Sequence, residues 1–191
     1  VHYAPAGPEV PVASNEACVA QDTAAYWLVL YLAEVKGVCF RGEIHQVLDA
    51  LKDMPRKIQW VLDTQPKTIQ AAAERMVNAN SFLFLGRHVG YPVALEGALK
   101  LKEIAYTFTE GFAAGELKHG PIALVDEGEP VVFIVPPQRG RNVLHAKVIS
   151  GLEEVKARGA SIIAVARQGD PEVERDADVV FWRPAGTTLM S

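Results

Sequence analysis

Four short apolar runs, at residues 81–85, 130–135, 161–166 and 178–182, constrain the fold of this chain more than any other feature. They are rich in β-branched and aromatic residues and do not alternate with polar ones, so a strand made of any of them must be covered on both faces. Helical spacing separates them, over 92–106, 142–158 and a shorter stretch near 116–124. Strands of this kind alternating with helices specify a parallel sheet between two helical layers, an α/β three-layer sandwich. Ligands of such sheets gather beyond the carboxyl ends of the strands. Gly86, Arg87 and His88 follow the first run and stand at that place.

The lead is helical. Residues 14–36 read as a helix, with Ser14 or Asn15 at its start and Gly37 just past its end. Ala17, Ala24, Leu28, Tyr31, Leu32 and Val35 make an apolar side wide enough to be mostly buried. Shorter helices are expected over 43–52 and 56–63, split by Pro55, and Pro66 opens another to about 78. A boundary near Gln65 therefore divides an all-helical segment, 1–65, from an α/β domain, 66–191. The chain starts at Val1 with a lead containing Pro5, Pro8 and Pro11, and it reads as a piece of something longer.

Several function classes are excluded by composition. A net charge of −4 argues against a broad grip on nucleic acid. The longest apolar candidate, 24–33, falls short of the roughly 18 residues of a membrane span. No signal peptide is visible, and Cys18 and Cys39 lack CxxC spacing, so they read as buried free thiols in a reducing cytoplasm. His2, His45, His88, His119 and His145 are scattered without metal-ligand spacing. No GxGxxG or GxxxxGK[ST] occurs, so no nucleotide cofactor is expected.

Chemistry concentrates in 84–121, FLGRHVGYPVALEGALKLKEIAYTFTEGFAAGELKHGP. Glu96, Lys100 and Glu103 stand at i, i+4 and i+7, one stripe of a helix. A ladder of surface ion pairs is the plain account, but Ala94, Leu95, Ala98, Leu99 and Leu101 leave that helix little polar surface. A carboxylate on such a face suits a general base acting on a carbon acid. His119, set by Lys118 and the rigid Gly120-Pro121, is a candidate acid or base. Gly86 and Arg87 could accept an oxyanion through backbone N–H groups and the guanidinium, or simply form a tight turn.

Taken together these residues resemble the glucosamine-6-phosphate synthase family, the isomerizing glutamine–fructose-6-phosphate aminotransferases. The match is to the C-terminal of its two sugar isomerase (SIS) domains. LEGALKLKE at 95–103 and AAGELKHGP at 113–121 look like its two signature segments; FLGR at 84–87 and KARGA at 156–160 agree. AGPEVPVAS at 6–14 resembles the end of the first SIS domain.

The resemblance implies that Glu103 moves a proton between C1 and C2 of a fructose 6-phosphate imine. It makes Lys100 the lysine beside the substrate, and His119 a helper in ring opening supplied across a homodimer interface. Val12, Ser14, Gly86 and Arg87 become substrate-binding positions, with a hexose 6-phosphate as the ligand and no cofactor. The family's glutaminase domain, the phosphate-holding loop of the first SIS domain and the Schiff-base lysine of the tail have no counterpart here, the last none after Met190. Asn15-Glu16 stands where the family shows Thr-Lys. The leading expectation is thus the isomerase part of an amidotransferase. The alternative is a non-catalytic phosphosugar-binding module acting as a sensor or regulator, and a third reading is a dimerising scaffold.

Overall fold

The computed structural model describes residues 4, 6–10, 12–138 and 143–185. The expected helix start at Asn142, the lead residues His2, Pro5 and Pro11, and Met190 lie outside the described residues. The chain divides into two compact units, Val1–Pro55 and Arg56–Ser191.

The first unit carries α1 (Glu16–Lys36) and α2 (Arg41–Lys52). Glu9 caps α1 from outside the helix: its carboxylate accepts the backbone N–H groups of Asn15 at 2.8 Å, Glu16 at 3.2 Å and Ala17 at 2.8 Å. At the other end Gly37 adopts φ 63°, and its N–H and that of Val38 return to Glu34 and Ala33. This is the paired closure a left-handed residue makes possible. The apolar side expected to be mostly buried is not. No residue of α1 is buried, and Leu28, Tyr31, Leu32 and Val35 are all exposed. Trp27 to Leu32 are apolar in succession, so they encircle the helix, and among the described residues of its unit α2 is the one other complete helix beside it. Nor are both thiols buried: Cys18 is half-buried and Cys39 exposed.

The second unit begins within α3 (Met54–Thr64), where Pro55 sits in the first turn, a place that tolerates its missing N–H. α4 (Pro66–Arg75) follows. Gln65 between them is buried, and its side-chain oxygen accepts the backbone N–H of Trp182 at 3.0 Å. That bond joins α3 and α4 to the edge of the sheet.

The sheet has five strands, β1 (Ser81–Gly86), β2 (Phe108–Ala113), β3 (Pro130–Ile134), β4 (Ser161–Arg167) and β5 (Val179–Arg183). All pairs are parallel, in the order β2-β1-β3-β4-β5. α5 (Gly90–Ala105) connects β1 to β2, α6 (Val143–Lys156) connects β3 to β4, and α7 (Pro171–Asp176) connects β4 to β5. Alternate residues of each strand point to opposite faces. Leu83, Leu85, Val131, Phe133, Ile162 and Ala164 pack with Val148, Leu152, Val155 and Val173 of α6 and α7. Phe84, Val132 and Ile163 pack with Ala94 and Ala98 of α5. The expected three-layer sandwich is present.

The expected short helix near 116–124 is two 3₁₀ turns, Leu117–His119 and Pro121–Leu124. They are separated by Gly120 at φ 152°, a value no continuous helix contains. Among the described residues no helix is long and apolar enough to cross a membrane.

Candidate functional site

β1 ends on Gly86, where backbone meets backbone. A Cβ there would lie 1.9 Å from the carbonyl oxygen of Gly90, so only glycine lets α5 start this close to the strand. The turn is drawn in by His88, a non-glycine residue at φ 57°, and by N–H bonds from Gly90 to Arg87 and from Tyr91 to His88. The guanidinium of Arg87 lies over Gly115, which follows β2; a Cβ on Gly115 would come within 3.3 Å of it. Arg87 Nε is buried and has no hydrogen-bond acceptor among the described residues. A half-buried guanidinium whose Nε has no partner among the described residues thus stands beside the N-terminus of α5, at the carboxyl end of β1. The sheet order reverses between β1 and β3, the switch point where ligands of such sheets bind.

Lys100 and Glu103 stand at the other end of α5. The buried Thr109 hydroxyl of β2 donates to the Ala98 carbonyl, and Gly111 leaves room for Leu95. Together these fix α5 flat on β2, running back towards the amino edge of the sheet. From Gly90 to Glu103 the helix rises about 20 Å at about 1.5 Å per residue. The structure therefore does not bring Gly86 and Arg87 together with Lys100 and Glu103.

The stripe itself forms as the spacing predicts. Lys100 Nζ lies 3.0 Å from Glu96 Oε1 and 3.2 Å from Glu103 Oε2. The hydrogen bond to Glu96, with that to Glu103, raises the Lys100 pKa above its ordinary value and so keeps the amine charged. The Glu103 side chain is one-third exposed, with the exposed Leu99 and Ile104 near it in the helix. Tyr106 ends the helix in the left-handed region and is also exposed. A carboxylate and an ammonium on a half-open apolar face can shuttle a proton and hold the charge that develops when it moves.

His119 projects from the first 3₁₀ turn. Its Nδ1 is 2.8 Å from Glu116 Oε2, both side chains being well exposed, while Lys118 pairs with Glu154 of α6 at 2.8 Å. Among the described residues no hydrogen bond or ion pair links His119 to Lys100 or Glu103. In the first unit Val12 is exposed, Ser14 half-buried and Ala13 between them buried. The backbone N–H of Asn15, then a hydrogen bond with the Glu16 side chain, then the N–H groups of Ala17 and Glu16 hold the Glu9 carboxyl down at about 2. The backbone N–H groups of Asn15 and Glu16 are thus already taken.

One constellation escaped the reading of the histidines as scattered. His145 of α6 lies between Asp170 and Glu172 at the start of α7, far off in the sequence and close only in the fold. No local spacing could have announced it.

Comparison with known proteins accords with this architecture. The family model described as "SIS domain" matches residues 75–188. The glutamine–fructose-6-phosphate aminotransferase [isomerizing] of Corynebacterium efficiens is 57% identical over 188 residues, covering 98% of this chain and 30% of the relative. Its namesake in Streptomyces coelicolor is 50% identical over 190 residues, with 100% and 31% covered. The chain thus spans about a third of the length of the curated relatives it matches. Among solved structures, the C-terminal domain of glucosamine-fructose-6-phosphate aminotransferase from Francisella tularensis superposes with a TM-score of 0.86 at 34% identity. That alignment covers 96% of this chain and 51% of the other.

Proposed function

The chain belongs to the SIS domain family, and from that premise we propose that it is the sugar-isomerising part of a glutamine–fructose-6-phosphate aminotransferase. The whole protein would convert fructose 6-phosphate and glutamine to glucosamine 6-phosphate and glutamate. Glu103 takes the C1 proton of the fructose 6-phosphate imine and returns it at C2, and Lys100 balances the charge that builds between those carbons. His119 assists ring opening from the neighbouring subunit of a homodimer, which suits its exposed place on a turn away from α5. Gly86 and Arg87 hold an oxyanion, and Val12 and Ser14 touch the sugar. A glutaminase domain and a first SIS domain supply ammonia and the phosphate grip. The setting is the cytoplasm, where Cys18 and Cys39 stay reduced.

The observation that supports this most is Lys100 held 3.2 Å from Glu103 on a part-exposed helix face, within a segment shared with those relatives. Replacing Glu103 with Gln in a full-length protein carrying this segment should cut hexose isomerisation by roughly 10²–10⁴-fold, the range a positioned base supplies. Glutamine hydrolysis should persist. Isomerisation within a few-fold of the parent would remove Glu103 from the role.

The buried Nε of Arg87, without a partner among the described residues and at the opposite end of α5 from Glu103, favours a second reading: a module that binds a phosphosugar without transforming it. A hexose 6-phosphate titration at millimolar concentration decides it. Binding lost in Arg87→Ala but kept in Glu103→Gln, with no conversion in the full-length parent, would favour the module.

A further inference from the structure

We propose that His145 and Glu172 are ligands of a divalent cation of the zinc type, with Asp170 holding the imidazole in position behind them. The three side chains meet where α6 and α7 begin, after β3 and β4, at the carboxyl edge where such sheets bind ligands. His145 is 1% exposed, and its Nε2 is 2.7 Å from Asp170 Oδ2. An ionised carboxylate only accepts hydrogen bonds, so in the neutral ring Nε2 carries the proton and Nδ1 keeps a bare lone pair. Asp170 is itself held, because its other oxygen accepts the Val173 N–H at 3.3 Å as the cap of α7. An imidazole whose far nitrogen donates to a fixed carboxylate is oriented as metal-bound histidines are.

The bare nitrogen meets an acceptor. Nδ1 lies 3.2 Å from Glu172 Oε2, an ion-pair distance with no hydrogen bond between them. A hydrogen bond wants its acceptor on the axis of the donor, whereas two ligands of one cation stand side by side and aim at a third point. Zn²⁺ takes imidazole nitrogen and carboxylate oxygen at about 2.0–2.2 Å. Ligand atoms 3.2 Å apart then subtend about 100° at the ion, between the octahedral and tetrahedral angles. Asp170 bonds the opposite ring nitrogen and is not a ligand, so water completes the coordination, and Glu172, 47% exposed, leaves that side open to it. Gln138 Nε2 donates to Glu172 Oε2 at 3.2 Å and steadies the carboxylate without using its second lone pair. Arg175 also attracts Glu172, but its hydrogen bonds go to Asp176 at 2.6 Å and Glu153 at 3.1 Å. An imidazole beside a carboxylate suits Zn²⁺ better than Mg²⁺ or Ca²⁺, which take oxygen ligands. The site does not depend on the functional reading above.

Titrating Zn²⁺ into the 191-residue chain, with nitrogen-resolved NMR of the imidazole rings, tests this. One equivalent should move the His145 Nδ1 resonance to its metal-bound position while Nε2 keeps its proton, and a chelator should restore it. The two ligands come together only when α6 and α7 are folded, so the unfolding midpoint of the second unit should rise with Zn²⁺ concentration. Glu172→Ala removes a half-exposed side chain, leaves the fold standing and should abolish the His145 response. Asp170→Asn can still cap α7 and should weaken binding about 10–100-fold, the range for a residue that orients a ligand. Zn²⁺ taken up at the exposed His45, His88 or His119 with His145 unmoved would mean an adventitious ion only, and would overturn the site. So would a His145 response that survives Glu172→Ala, or an affinity that Asp170→Asn leaves unchanged.

Discussion

At Gly86 the obstacle to any side chain is main chain, and main chain cannot step aside by changing rotamer. Gly86→Ala should therefore lower unfolding stability by about 3 kcal/mol, at the upper end of what overpacking usually costs. Gly42→Ala, with nothing within 4 Å of the added Cβ, is the control and should leave the urea midpoint within error or raise it. Glu9 makes a different kind of claim, because its contacts favour the ionised form. Its carboxyl is held at about 2 in the fold against an ordinary 4.5. A depressed pKa adds stability that is complete above the unfolded value and drains away as the pH falls through the folded one. The cap on α1 should thus be fully effective above pH 4.5 and weaken between there and about 2. Carboxyl NMR should find the Glu9 midpoint near 2, and Glu9→Gln should abolish the acid dependence of amide protection at Asn15, Glu16 and Ala17.

Among the elements, α5 carries most of the meaning, and β2 holds it in place. The Thr109 hydroxyl reaches the Ala98 carbonyl from a fully buried position, so Thr109→Val removes this second bond to a carbonyl that keeps its helical partner. The loss should be about 0.5–1.5 kcal/mol by urea denaturation, with exchange in β2 rising before that in β1 or β3. Strands β1, β3 and β4 were legible because each lies inside the sheet, where burial leaves an unbroken apolar run, and β5, the other edge, was legible because Val179, Val180, Phe181 and Trp182 are apolar in succession although only half-buried. β2 was not. As an edge strand it mixes Thr109, Glu110 and Gly111 among its apolar residues, and its pattern of burial belongs to a surface. α7 was missed because six residues cannot display a period; its signature was only Asp170 as cap followed by Pro171. The Glu96–Lys100–Glu103 stripe was legible because helical spacing is local. The His145 cluster and the burial of Arg87 Nε without a partner among the described residues were not, since both depend on which distant segments the sheet order brings together.

For the whole molecule, the exposure of α1 is the feature that a self-sufficient fold would not choose. The helix presents Trp27, Leu28, Val29, Tyr31, Leu32 and Val35 to solvent, although ten consecutive residues of it, 24–33, are apolar. Apolar surface removed from water is worth roughly 25 cal/mol per Å², so several such side chains left wet represent a large reserve of association energy. A helix that is apolar nearly all round is one built to be enclosed. The reading of this chain as one part of a larger aminotransferase supplies the enclosure, and it makes opposite predictions for the part and the whole. In the 191-residue chain, Leu28→Lys with Leu32→Lys should leave the unfolding midpoint of the second unit unchanged, and it should reduce binding of a hydrophobic dye several-fold. In a full-length protein carrying this segment the same pair of substitutions should be destabilising, at about 2–5 kcal/mol for each leucine lost from a core. Equal, small effects in both settings would mean that nothing covers α1 in the larger protein.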